Sequence, residues 1–196
     1  AVMLVLKPDG KTWRMVSDFR AANRQVEKKS WPLPRLDSTF SAFAGAKYFS
    51  SVDMNNCYFQ MPLANKASRD WTTIETPLGI YSYTRCPQGY INAQAELIRF
   101  MDLYVTADLR WQCCLAYCDD ICIYSSTADQ HIDDIDAILC RLQFFGVQLK
   151  AKKCEFFVPK LIFLGYEVSA EGVKASPIKV KAVLELELPT TLTDIR

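Results

Sequence analysis

Asp119 and Asp120 are adjacent acids in a stretch that otherwise calls for burial, with Tyr117 and Cys118 before them and Ile121 after. Anions at the turn of a buried hairpin cost free energy unless something neutralises them, and a divalent cation would. Asp53 lies 66 residues earlier, at the end of the apolar run Tyr48-Phe49-Ser50-Ser51-Val52. If that run forms a strand beside the hairpin, three carboxylates converge. Two magnesium ions (manganese as a substitute) need such a set to clamp an in-line phosphoryl displacement. The residues alone leave a plainer alternative open, in which Asp53 caps a short helix over 54–59 and Asp119 makes a turn.

Other chemistries fit less well. His131 is the single histidine, which argues against Ser-His-Asp or Cys-His catalysis, and the helical pattern after it marks it as structural. The eight cysteines include no Cys-x-x-Cys pair, and Cys114, Cys118 and Cys122 lie in an apolar, strand-like stretch, so reduced and mostly buried thiols are expected rather than zinc ligands. No Asp-Thr-Gly or Asp-Ser-Gly triplet supports an aspartic protease.

The elements that must position the three aspartates follow from periodicity. Val2 to Leu6 and Trp13 to Val16 flank Pro8-Asp9-Gly10 and predict a β-hairpin. Leu36, Phe40 and Phe43 predict a helix closed by Gly45, ahead of a strand from Tyr48 to Asp53. Leu97, Phe100, Met101, Tyr104 and Val105 predict one helix from Asn92 to Val105, and Cys113 to Ser126 a hairpin with Asp119-Asp120 at its turn. Ile132, Ile135, Leu139, Leu142 and Phe145 predict a second helix, started by Ser126 with Asp129 three residues on and stopped by Gly146. Strands around Phe156 to Val158 and Ile162 to Val168 follow, then a short helix opened by Pro177. Irregularly alternating helices and antiparallel strands make the class α+β.

Charge is segregated: residues 1–30 carry a net +4, 101–140 a net −7 and 141–196 a net +3. An acidic middle between basic ends suits a metal centre flanked by phosphate-contacting surfaces, although Asp133, Asp134 and Asp136 read as a solvated helix face. No apolar run is long enough to span a bilayer, and no targeting signal is visible, so an intracellular location is expected. The chain starts with Ala inside an apolar run, which suggests a piece of a longer protein.

Tyr117-Cys118-Asp119-Asp120 resembles the Tyr-x-Asp-Asp signature of reverse transcriptases, and the surrounding blocks match in order. Trp13 to Arg20 with Asn23 look like the fingers motif, followed by Trp31-Pro32-Leu33-Pro34-Arg35. Gly45 to Ser50 leads into Asp53 and Tyr58-Phe59-Gln60; Thr76 to Tyr81 and Pro87-Gln88-Gly89 come next. Gly146, Leu149, Lys152-Lys153-Cys154 and Phe163-Leu164-Gly165-Tyr166 are similar to the last palm motifs. The resemblance is to LTR retroelements of the gypsy type and their retroviral relatives.

That resemblance implies a right-hand polymerase palm, an antiparallel sheet backed by helices, with partial fingers. Fingers would occupy about 1–47 and 63–86, palm about 48–62 and 87–176, and 177–196 would begin the thumb or connection. It implies an RNA-directed DNA polymerase with Asp53, Asp119 and Asp120 as metal ligands and Lys153 as the acid for pyrophosphate, with Lys152 beside it blurring that assignment. Lys7, Arg14, Gln88 and Gly89 would hold the incoming dNTP. The Tyr58 ring would exclude a 2′-hydroxyl. Tyr117, Cys118, Phe163, Leu164, Gly165 and Tyr166 would position the primer. The implied partners are an RNA or DNA template with primer and the protease, RNase H and integrase of a pol polyprotein, in a cytoplasmic virus-like particle or the nucleus, with no membrane.

The departures concern activity. Asn92-Ala93-Gln94-Ala95-Glu96-Leu97 replaces the usual Asn-Ala-Pro-Ala-Thr-Phe, which places an acid near the template and loses a helix-starting proline. Thr72-Thr73-Ile74 and Cys57 also differ from the common pattern. A decayed element that only binds nucleic acid is therefore the alternative reading.

Overall fold

The structure, a computed structural model, describes residues 2–7 and 10–185. The expected turn residues Pro8 and Asp9, and 186–196 of the expected thumb start, lie outside the described residues.

The expected first hairpin pairs β1 (Val2–Leu6) with β2 (Trp13–Ser17). Then come α1 (Arg20–Asn23) and α2 (Leu36–Ser41); α2 is shorter than its apolar spacing suggested, and Phe43 and Gly45 lie in the turns after it. β3 (Tyr48–Asp53) has the expected bounds. The helix after it is only α3 (Cys57–Gln60). The small helix α4 (Lys66–Asp70) and the hairpin β4 (Ile74–Thr76)–β5 (Gly79–Tyr81) were not signalled by periodicity, because strands of three residues carry too little of it.

The helix expected over Asn92 to Val105 is α5 (Ala93–Phe100) continuing as a π-helical turn, Met101–Val105. Both the backbone N–H and the hydroxyl of Thr106 reach Met101 O, at 2.8 and 3.1 Å, which accommodates the extra residue. Asp102 in that turn bonds Trp31 Nε1 and Arg110, both at 2.7 Å.

The hairpin β6 (Cys114–Tyr117)–β7 (Asp120–Ser125) leads into α6 (Ala128–Phe144). Thr127, not Ser126, is the cap: its side chain accepts the Gln130 N–H at 3.3 Å. Gly146, at φ 66°, ends the helix as expected. A 3₁₀ turn (Ala151–Lys153) precedes β8 (Glu155–Val158), β9 (Lys160–Phe163), β10 (Tyr166–Ser169), β11 (Gly172–Ala175) and α7 (Pro177–Leu184). The single strand expected over Ile162 to Val168 is a hairpin, turned by Leu164 and Gly165 at φ 53° and 76°.

The central sheet is antiparallel in the order β6-β7-β3-β8, and a second sheet runs β11-β10-β9. Both faces of the central sheet are buried, which is why β6 and β7 read as continuous apolar runs. Val52, Ala116, Ile121 and Ile123 pack on Leu97, Met101, Ile138 and Leu142 of α5, the π turn and α6. On the other face Phe49, Leu115, Cys122 and Tyr124 pack on Phe43, Leu161, Phe163 and Val168. The sheet is thus clamped between helices and the second sheet, and its strand ends cannot shift without disturbing two cores.

Candidate active site

The catalytic candidates stand at one end of this clamped sheet. Tyr117 pairs with Asp120, so Cys118 and Asp119 form a two-residue turn, with Cys118 at φ 56°. A left-handed backbone at a non-glycine residue costs about 1 kcal/mol or more and persists only where its surroundings enforce it. The enforcement is visible: Asp119 O accepts the N–H of Met54 at 3.1 Å, and Gln94 Nε2 donates to Cys118 Sγ at 3.3 Å.

The antiparallel register sets Asp53 directly opposite Asp120. Side chains alternate along a strand, so Asp53 shares a face with Phe49 and Ser51, and Asp120 with Cys122 and Tyr124; these are the same face of the sheet. Asp53 is 8% exposed. Its role is therefore not that of a helix cap: Asn56 precedes α3, at φ 48°, and no side chain caps that helix.

Lys153 Nζ donates to Asp53 Oδ2 at 2.6 Å. The 3₁₀ turn that carries it is fastened by backbone to the same aspartate, with Lys150 N–H on Asp53 O at 2.9 Å and Lys153 N–H on Lys150 O at 2.8 Å. The structure thus separates the two lysines that the sequence left ambiguous. Asp53, Asp120 and Lys153 line a cleft of about 320 Å³ together with Ser51, Glu155, Ile162 and Phe163. Asp120 is open to solvent on one side. Its carboxyl is nevertheless held above the ordinary 3.8, first by desolvation against its protein neighbours and then by the charges of Asp119 and Asp53, while Lys153 opposes.

Among the described residues, no three Asp, Glu, His or Cys side chains stand close enough together, as placed, to hold a metal ion. The donor set still suits one. Carboxylate oxygens are what magnesium prefers, two of them face each other across a strand pair, and a cationic ammonium already sits on the more buried. Asp53, Asp119 and Asp120 are the residues that would hold it. Neither neighbouring ionisable group competes: burial first, then the charge of Asp119, pushes the Cys57 thiol up to about 12, and burial raises the phenol of Tyr58 to about 12.

The other expected site residues are arranged around this end. Tyr58 is half-buried on α3 and packs against the core that holds Leu97 and Met101. Gln88 and Gly89 form a turn ahead of α5, and Gly89 at φ 88° needs to be glycine. Asn23 holds that turn: its Nδ2 donates to Gly89 O at 2.9 Å, and its Oδ1 accepts the Ile91 N–H at 3.0 Å. Tyr83 joins the first hairpin to α3, through its hydroxyl on Ser17 Oγ at 2.8 Å and its ring against Phe19 and Phe59. Lys7 and Arg14 sit on that hairpin, and among the described residues neither forms an ion pair with the three aspartates.

Phe163 is 2% exposed and belongs to the core beneath the cleft, so its part is to support the Leu164-Gly165 turn. Tyr166 is sandwiched between the Phe40 ring, 4.7 Å away, and the Lys179 ammonium, 4.1 Å above it.

The departures at Asn92 to Leu97 have structural answers. Buried Asn92 accepts the Lys29 N–H at 2.9 Å and donates to Glu27 O at 3.0 Å, and α5 starts behind it without a proline. Glu96 bridges Lys29 at 3.3 Å and Arg99 at 3.0 Å. Burial pushes its pKa up, but the bonds from Arg99 and Lys29 win and keep the carboxyl ionised, below the ordinary 4.5. The clamps made by Asn23, Asn92 and Tyr83 were not legible as functional. Asn23 entered the sequence reading only with the fingers block and Asn92 only with the block at the start of α5, and neither spacing nor periodicity gave their partners.

A family model described as reverse transcriptase (RNA-dependent DNA polymerase) matches residues 5–168. The chain belongs to the reverse transcriptase family. It is 32% identical over 193 residues to the retrovirus-related Pol polyprotein from transposon 297 of Drosophila melanogaster, which covers 97% of this chain and 18% of that polyprotein. To the polyprotein from transposon gypsy of the same organism it is 30% identical over 183 residues, 93% of this chain and 18% of the other. This reverse transcriptase chain thus spans about a fifth of the length of those relatives. Among solved structures it is similar to the foamy viral protease-reverse transcriptase in two complexes with double-stranded DNA. The TM-scores are 0.87 and 0.84 at 25% and 26% identity, with 99% of this chain covered in each and 33% and 40% of the other chain. The expected α+β fold, antiparallel sheets with helices, is borne out by that likeness.

Proposed function

We propose that this chain is the catalytic core that adds dNTPs to the 3′ end of a primer on an RNA or DNA template, releasing pyrophosphate. The observation that carries the reading is the register that sets Asp53 opposite Asp120, with Asp119 in the adjoining turn. Two Mg²⁺ (or Mn²⁺) held by these carboxylates would supply activation of the 3′-oxygen and charge neutralisation on the triphosphate.

The protein's own part is positioning. The clamped sheet fixes the carboxylates, Lys153 keeps an ammonium at the cleft where negative charge leaves, and Tyr58 sets a wall beneath the sugar that excludes a 2′-hydroxyl. Gln88, Gly89, Lys7 and Arg14 hold the nucleotide, with the first hairpin folding over it. Tyr117, Cys118 and the turn Phe163 to Tyr166 seat the primer terminus. On this reading 1–47 and 63–86 are fingers, 48–62 and 87–176 palm, and 177–196 the approach to the thumb. The double-stranded DNA held by the similar foamy viral enzymes supports nucleic acid as the partner. The likeness to Pol polyproteins supports a place in a polyprotein, in which the proposed neighbours are protease, RNase H and integrase.

Primer extension with Mg²⁺ and dNTPs, with the chain carried in a longer polymerase, tests this. Asp119→Ala should reduce incorporation by at least about a hundredfold. Incorporation unchanged in that variant, or absent from the unaltered protein, would leave the nucleic-acid-binding alternative.

A further inference from the structure

Asp53 is a costly group for as long as no cation is bound. It is nearly inaccessible, faces a second carboxylate across the strand pair, and is followed in space by a third at the turn. Like charges directly opposite in a sheet destabilise it, and a buried charge without a partner is costly. In this structure Lys153 meets that need, at 2.6 Å from Oδ2.

The two partners differ in mobility. The Asp53 side chain is 12% exposed and its carbonyl is bonded to Lys150 N–H, so it cannot move far. The Lys153 side chain is 56% exposed, and only its backbone is fastened. The ammonium can therefore leave Asp53 by rotating its four-carbon stem, with no change in the sheet. The cleft it would turn into is the one lined by Asp120, Glu155 and Ile162.

We propose that Lys153 is the resident counter-ion of the carboxylate cluster, and that it gives up Asp53 when a divalent cation enters. This rests on the reading of Asp53, Asp119 and Asp120 as metal ligands. Lys153 and the cation compete for one carboxylate, so the apparent metal affinity is the intrinsic affinity reduced by the fraction of molecules with Asp53 free. The ion pair itself offsets the repulsion between the strand ends when no cation is bound. The released ammonium stays over the cleft, available to the departing pyrophosphate of the proposed reaction.

The test uses this chain with Mn²⁺ binding read by electron paramagnetic resonance and thermal melting in EDTA or in saturating Mg²⁺. Lys153→Met removes the charge and keeps the stem. Lys152→Met removes the same charge from the same turn at a residue that has no ion pair to the cluster among the described residues. Lys153→Met should bind Mn²⁺ about three- to tenfold more tightly than the unaltered chain, whereas Lys152→Met should stay within about twofold. Lys153→Met should also melt lower in EDTA, with the deficit closing in Mg²⁺.

Equal tightening in both variants would reduce the effect to net charge and overturn the inference. So would a melting deficit of the same size with and without Mg²⁺, the mark of a purely structural lysine. If neither the unaltered chain nor Lys153→Met binds Mn²⁺, the metal-ligand reading itself falls and takes the inference with it. Binding by both with equal affinity sinks the inference alone.

Discussion

Replacing His131 with leucine should destabilise the fold by about 2–3 kcal/mol and remove a pH dependence that the unaltered chain shows. His131 is fully inaccessible. Its Nε2 lies 2.8 Å from Ser50 Oγ and its Nδ1 2.8 Å from Ser125 Oγ. Ser125 donates its proton to Asp134 Oδ2 at 2.6 Å, so it must accept from Nδ1–H. Nε2 then takes the proton of Ser50, and Ser50 Oγ accepts the Phe157 N–H at 3.1 Å. One directed chain of hydrogen bonds joins β8, β3, β7 and α6 around a neutral imidazole. Leucine removes two bonds and leaves each serine with one remaining partner, about 1 kcal/mol apiece, and the poorer fit of its shape adds the rest.

The sign of the pH effect follows from burial, which lowers the His131 pKa below its ordinary 6.5, against the Phe49 backbone and the Asp134 charge. A histidine depressed in the folded state stabilises above the unfolded pKa, and that stability is lost as pH falls, because the unfolded chain takes the proton first. Asp120, whose carboxyl is raised, acts in the opposite sense, but at lower pH. Urea unfolding followed by tryptophan fluorescence at about pH 7.5 and about pH 5.5 reads both effects. The unaltered chain should be less stable at the lower pH, and His131→Leu weaker at pH 7.5 yet nearly flat between the two. Equal stability of the unaltered chain at both values, or a leucine variant within about 0.5 kcal/mol of it, would refute the directed network.

Asp120→Asn should raise stability in EDTA by up to about 1 kcal/mol, through loss of a like charge opposite Asp53, while abolishing primer extension; thermal melting and incorporation read the two halves. Asn92→Ala removes two partly buried hydrogen bonds, one from Lys29 N–H and one to Glu27 O, and should cost about 1–2 kcal/mol in urea unfolding. Gln94→Leu removes the bond to the Cys118 thiol and should lower kcat/KM for dNTP a few-fold with little change in melting temperature. Cys118→Ala should do the same, the double variant should lose no more than either, and additive losses would show that the two act separately. Tyr58→Val should raise rNTP incorporation relative to dNTP by about tenfold or more, measured by single-nucleotide extension.

Several elements were readable because their signals are local. Gly146 ends α6, Pro177 opens α7, and Asp119-Asp120 interrupts two apolar runs, each marking a boundary by its own backbone or solvation preference. The register shift of the β3–β8 pairing between Phe49 and Ser51, the π turn at Met101–Val105 and the split of Ile162 to Val168 into two strands were not readable, since each is enforced by distant contacts. Ser126 was the expected cap of α6, and only the geometry of the chain leaving β7 selects Thr127.

For the candidate site the division is similar. The sequence by itself pointed to the reverse transcriptase family through the ordered blocks around the three aspartates, while the carboxylates alone left a metal site and a capping or turn role both open. Only the tertiary structure decided which groups meet. The β3–β7 register sets Asp53 against Asp120, the 3₁₀ turn brings Lys153 and not Lys152 to Asp53, and α5 carries Gln94 onto Cys118. Strand register and helix docking are settled by packing of both sheet faces at once, so partners far apart in the chain cannot be read from spacing along it.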